Sequence, residues 1–182
     1  MSPATPSAPL PIRHWPDPVL SQACAPVLAF DETLLALLDA MRATLLAAGG
    51  LGLAANQVGE SVRVFIFDPR PAAETAHPSF IIECVNPVWT SGWPATVSVM
   101  EGCLSFPGTS EYVPRAAQGR LDFQDRTGAQ HTLELTGLPA VCAQHEIDHC
   151  DGITFLSRVT PLKRRLMLRD LDKRAAAARA RG

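Results

Sequence analysis

The chain has 182 residues, of which 47% are hydrophobic and 19% charged, with a formal net charge of −2. That length gives room for one domain with a real core. The near-neutral charge provides no global drive toward nucleic acid or a membrane surface, and no apolar run approaches the roughly 20 residues a membrane span needs.

The first stretch, MSPATPSAPLP (residues 1–11), is Pro, Ala and Ser-rich and reads as a disordered or extended leader. It has neither the basic start nor the apolar run of a secretory signal, and its first basic residue is Arg13, so neither export nor organelle targeting is expected. Residues 12–182 then read as a single domain. Asp31 is a plausible N-cap for a helix carrying Leu34, Leu35, Leu38, Met41 and Leu45 at helical spacing and ending at Gly49-Gly50. VRVFIFD (62–68) and FIIECVNPVW (80–89) are rich in β-branched and aromatic residues and read as strands, and ATVSVM is strand-like. Around Arg126-Thr127-Gly128 the chain reads as a hairpin. Gly137 opens a second helix with Pro139 in its first turn, where a missing N–H costs nothing, and Pro161 opens a last helix to about residue 178. Helix, strands, then helices is an α+β order: short, mostly antiparallel sheets with the second helix packed among them.

That second helix carries QHEIDH (144–149). Positions i and i+4 put His145 and His149 on one face, the right span for chelating one ion, and Glu146 is placed to reach a water beside it. The third ligand cannot be a downstream Glu or His, because Glu146 is the last Glu and His149 the last His; Phe155 stands six residues on from His149. Upstream, Cys103 in EGCLS (101–105) stands out, and a Cys–His–His set leaves a fourth position for water. The five cysteines (Cys24, Cys84, Cys103, Cys142, Cys150) lack a CxxC pair and an even count, so they read as reduced thiols.

Three separated segments, GLGLAANQ (50–57), EGCLS and QHEIDHCDG (144–152), resemble peptide deformylase in order and spacing, as do WPDPVL (15–20) and VPR (113–115). The resemblance covers residues 12 to about 175. It implies that Cys103, His145 and His149 bind one divalent ion, Fe²⁺ physiologically, with Zn²⁺, Ni²⁺ or Co²⁺ able to replace it. It further implies that Glu146 is the general acid/base, and that Gln57 and the Leu104 N–H stabilise the oxyanion. The implied reaction removes the formyl group from the N-terminal formyl-methionine of nascent polypeptides in a bacterial cytoplasm, releasing formate. Residues mapped to the substrate are Gly50, Leu51, Gly52, Val99, Glu101, Leu138, Val141 and Cys142. Glu101 is also expected to support the local backbone, and Arg115 to contact the peptide further along or form a surface salt bridge. Cys150 departs from the usual Leu. A monomer is expected, and the basic last helix is a possible contact with ribosomal RNA, a solvated face being the plainer reading. The rival readings are an HExxH metallopeptidase cutting internal peptide bonds and a non-catalytic metal-binding relative.

Overall fold

The computed structural model describes residues 7–70, 77, 80–92 and 95–179, with the side chains of 175 and 177–179 left aside. The elements run α1 (Glu32–Ala48), β1 (Gly52–Ala54), β2 (Val64–Phe67), β3 (Ile82–Ser91), β4 (Thr96–Gly102), β5 (Ser110–Ala116), β6 (Gln118–Gln124), β7 (Gln130–Thr136), α2 (Gly137–Cys150) and α3 (Pro161–Arg179). Strands β1-β2-β3-β6-β7 form a five-stranded sheet, antiparallel throughout, and β4-β5 form a separate antiparallel ribbon. This is the α+β domain expected from the order of elements. Among the described residues no helix is long and apolar enough to cross a membrane.

Strand β2 explains the layering. Its residues VFIF are all buried, because successive side chains point to opposite faces and both faces are covered. Val64 and Ile66 join Leu34, Leu38, Met41 and Leu45 of α1. Phe65 and Phe67 join Leu121, Phe123, Ala140, Ala143 and Ile147 on the side of α2. The sheet is therefore sandwiched between a packing helix and the helix that carries QHEIDH. A third cluster (Phe106, Val113, Phe155, Leu156, Leu171) ties the ribbon to the chain after α2 and to α3.

Helix α1 starts and stops where its caps require. Asp31 accepts from the N–H groups of Thr33 and Leu34 (3.1 Å each), and Gly49 closes the helix at φ 69°. In β3, register with β6 slips between Val85 and Val88. Pro87 has no N–H for the ladder there, and Asn86 adopts φ 50°, a conformation Asn tolerates better than most residues. The Asn86 side chain compensates by bonding both the N–H and the carbonyl of Val27 (2.8 and 2.9 Å).

Of the expected leader, residues 1–6 lie outside the described residues; Ser7–Pro11 carry no regular structure, and Leu10 already belongs to the fold. Its N–H donates to Thr44 Oγ1 (2.7 Å), and its side chain packs on the α1 cluster.

Candidate active site

Glycine decides the shape of the cleft between α2 and the ribbon. The segment after α1 runs Gly49–Gly52 into the edge strand β1; among the described residues β1 pairs only with β2, and β4 only with β5. Between these two strand edges lies a cavity of about 550 Å³, lined by Gly50, Leu51, Gly52, Gln57, Val99, Glu101, Cys103, Leu104, Leu138, Val141, Cys142, His145 and Glu146. Three distant stretches of chain thus meet around one cavity. Its outer rim includes Met100 and the loop Pro107–Ser110, which carried no recognisable signal in the sequence.

Helix α2 forms the floor. Most of it is buried, including His145, Glu146, Asp148 and His149. A helix buried almost all round is normally apolar, so charged groups there need partners or a task. His145 and His149 share a face with ring centroids 5.1 Å apart. Cys103, at the end of β4, brings its Sγ to 3.2 Å from His149 Nε2. One donor atom from each of Cys103, His145 and His149 lies within 4.8 Å of the others, close enough to meet a single ion.

The surroundings suit a cation. Burial opposes charge on His145, yet contacts with Cys103 and Glu101 outweigh it and hold the imidazole well above its ordinary range, so the spot favours positive charge. Burial holds His149 well below the imidazole range, keeping it neutral with a lone pair to donate. Glu101 Oε2 lies 2.7 Å from His145 Nδ1, an arrangement that leaves Nε2 for an ion. Thiolate plus two imidazoles is a donor set that suits Zn²⁺ and Fe²⁺ alike.

Glu101 in turn is gripped by Arg115 through Nε (2.6 Å) and Nη2 (2.9 Å). Arg115 Nη1 reaches Asp148 Oδ2 (2.5 Å), and Asp148 accepts from Arg158 at both oxygens (3.0 and 2.5 Å). This row of alternating charges corrects one expectation: Arg115 is 4% exposed, so its ion pairs are buried rather than a surface salt bridge, and its guanidinium lies between two buried carboxylates. Glu101 does line the cleft, but both of its oxygens are engaged with Arg115 and His145, so its part is support rather than contact with a ligand.

Glu146 is placed differently. It is 3% exposed, and its Oε2 has no hydrogen-bond partner among the described residues. Burial pushes its carboxyl up to about 7, with His145 pulling more weakly the other way. A carboxyl poised near neutrality can both take and return a proton. Gln57 is held at both ends of its amide. Its Oε1 accepts from Ala54 N–H (2.9 Å), while Nε2 points toward Ser105 Oγ (3.1 Å) and Cys103 Sγ (3.4 Å). Leu104 follows Cys103 along the same wall.

Reasoning from the sequence missed Ser105, Asn56 and Asp148 as supports. Asn56 Nδ2 donates to His149 O (2.6 Å), bracing the end of α2. Asn56 and Ser105 sit inside the quoted motifs beside residues with clearer roles, and nothing in the sequence says which way they point. Asp148 lies inside QHEIDH, yet it faces Arg115 and Arg158.

Comparison with known proteins agrees with the geometry. The sequence profile described as Polypeptide deformylase matches residues 9–165. A peptide deformylase of Wolinella succinogenes is 40% identical over 169 residues, 93% of this chain and 99% of its own length. The crystal structure of a peptide deformylase from Legionella pneumophila superposes with a TM-score of 0.86 at 37% identity, covering 96% of this chain and 99% of the other. A structure of the Ehrlichia chaffeensis peptide deformylase in complex with actinonin gives 0.84 at 32% identity, over 92% and 98%. With Cys103, His145, Glu146 and Gln57 lining one cleft, the chain belongs to the polypeptide deformylase family.

Proposed function

We propose that this deformylase holds one divalent ion on Cys103, His145 and His149, and that Glu146, Gln57 and Leu104 carry out its chemistry on an N-formyl-methionyl peptide. The observation that carries this reading is the buried Glu146 carboxylate, with one oxygen unpartnered, beside the sulfur and two imidazoles. When bound, the ion supplies Lewis acidity, polarising the formyl oxygen and making water easier to deprotonate. Glu146 takes the proton of the attacking water and returns it to the departing amine nitrogen as the formyl C–N bond breaks. Formate leaves with the water oxygen. Gln57 Nε2 and the Leu104 N–H donate to the oxygen on which charge builds; one such donor is typically worth about 3 kcal/mol. Glu101 keeps His145 in the required tautomer.

The methionyl side chain enters the space between Gly50-Leu51-Gly52 on one side and Val99, Leu138, Val141 and Cys142 on the other. Leu138, Val141, Cys142 and His145 recur at three- and four-residue steps, so the pocket and the ligand share one face of α2. The physiological ion in this reading is Fe²⁺. The protein works as a monomer in a bacterial cytoplasm on chains emerging from the ribosome. Helix α3 exposes Arg164, Arg165, Arg169 and Lys173, a basic face suited to ribosomal RNA. No observation favours cleavage of internal peptide bonds or a purely storage role.

The deciding experiment is formate release from formyl-Met-Ala-Ser under anaerobic conditions, with metal analysis of the same sample. Wild-type protein should turn over with one ion per chain, and Glu146→Gln should retain the ion but lose activity by about 10²-fold or more. Turnover surviving in Glu146→Gln would overturn the acid/base assignment, and full metal content in Cys103→Ala would overturn the ligand set.

A further inference from the structure

Two cysteines that the reaction does not use meet where the metal helix ends. Cys150 is the last residue of α2, directly after His149, and is fully buried with Sγ 3.8 Å from Val64 O. Cys24 lies on the segment before α1, and its N–H donates to Cys150 O (2.8 Å). Ala25 continues that segment by bridging to Val62, so the crossing is anchored on both sides. That backbone bond sets the two residues side by side, as a disulfide, whose Cα atoms lie about 4.4–6.8 Å apart, requires. The side chains also interact. The two thiols meet in a side-chain hydrogen bond.

The remaining cysteines lie elsewhere: Cys103 belongs to the metal-binding trio, and Cys84 and Cys142 sit in the core between the sheet and α2. Cys24 is 9% exposed, which leaves a small approach from solvent, whereas Cys150 is fully buried.

We propose that Cys24 and Cys150 form an oxidisable dithiol, a modification site for a hydroperoxide, whose product is a Cys24–Cys150 disulfide that staples the segment before α1 to the end of the metal helix. Cys24 sulfur attacks the peroxide oxygen, the O–O bond breaks, and one water leaves as a sulfenic acid forms. Cys150 sulfur then displaces the second oxygen as water, forming the S–S bond. Two thiols are oxidised by two electrons, one hydrogen peroxide is reduced to two waters, and a dithiol reductant reverses the change. The staple closes a long loop, from residue 24 to residue 150, so it raises thermal stability: by about 5–15 °C on the usual scale for such cross-links in a domain of this size.

The test uses the full-length chain loaded with Zn²⁺, so that the ion itself is not oxidised. It is treated with graded hydrogen peroxide, unfolded, alkylated with N-ethylmaleimide and mapped by peptide mass spectrometry. The expected result is a linked pair of peptides containing Cys24 and Cys150, a fall of two in alkylated cysteines, a higher melting temperature, and full reversal by dithiothreitol. Cys24→Ser and Cys150→Ser should each abolish the linked pair and the rise in melting temperature; the wild-type peptide map stands on its own if either variant folds poorly. Alkylation of both thiols at peroxide levels that already oxidise Cys103 would overturn the proposal. So would conversion of either to a sulfinic acid without a linked pair, or a cross-link from Cys150 to Cys103.

Discussion

Gly52 faces the Glu146 carboxylate with no atom to spare. A Cβ built on Gly52 would fall 2.8 Å from Glu146 Cδ and 2.9 Å from Cγ, and closer still to Oε1, whereas ordinary contact begins at 3.4 Å. Gly52→Ala therefore forces the carboxylate away by at least 0.6 Å (3.4 minus 2.8). The backbone conformation of Gly52 is one that alanine adopts freely, so the fold should tolerate the change. A reacting group displaced by about 1 Å costs on the order of 10²-fold in rate, so the expected loss in kcat/KM is about 10- to 10²-fold, or roughly 1.4–2.7 kcal/mol. The assay is formate release by the Gly52→Ala variant, with metal content and melting temperature measured alongside. Gly49→Ala is the control: a Cβ there meets nothing within 4 Å, but φ 69° strains it, so stability should fall by about 1 kcal/mol while kcat/KM holds. A Gly52→Ala enzyme with full metal and kcat/KM within threefold of wild type would refute the placement of the base.

Removing Arg115 should damage the protein from inside: Arg115→Ala leaves Glu101 and Asp148 as buried carboxylates short of a partner and should cost about 3–5 kcal/mol in urea unfolding. Asp125, in the β6–β7 turn, accepts from Thr127 and lies 2.7 Å from His131 Nε2, contacts that hold its carboxyl below the ordinary 3.8. A depressed carboxyl stabilises the folded state above its unfolded pKa, and the gain fades as pH falls through the folded value. The deficit of Asp125→Asn in thermal unfolding should accordingly be largest near neutrality and shrink below pH 3.8. Reversing charge with Arg165→Glu and Arg169→Glu should weaken ribosome co-sedimentation and its salt dependence while leaving hydrolysis of formyl-Met-Ala-Ser unchanged, since both side chains are exposed and outside the cleft lining.

Local signals read well here and directional ones did not. Helix α1 was legible because its cap, apolar stripe and closing glycine agree, and the β6–β7 hairpin because its turn residues and alternation agree. Strand β5 was harder: it contains Pro114, which has no N–H for a ladder, and Tyr112 is exposed despite being aromatic. Strand β1 hides in a glycine-rich stretch, because its three residues exist as a strand only through pairing with β2. Elimination excluded a Glu or His ligand downstream, since neither follows His149, but Cys103 as the third ligand was fixed only by the resemblance. The inward turn of Arg115 could not be read, because a strand sequence says that alternate residues face opposite ways but not which side is closed by another element. Pairing of β3 with β6 across intervening ribbon strands is likewise a long-range choice without a local marker.

The two unpaired strand edges beside the cleft have a consequence for what the enzyme can accept. Among the described residues β1 and β4 are each paired on one side only, and both border the cleft. An extended chain laid between them can be gripped by its main chain, which is common to every polypeptide. In the proposed reading, discrimination then rests on the one side chain that enters the pocket. An enzyme built this way can serve a whole proteome with a single site.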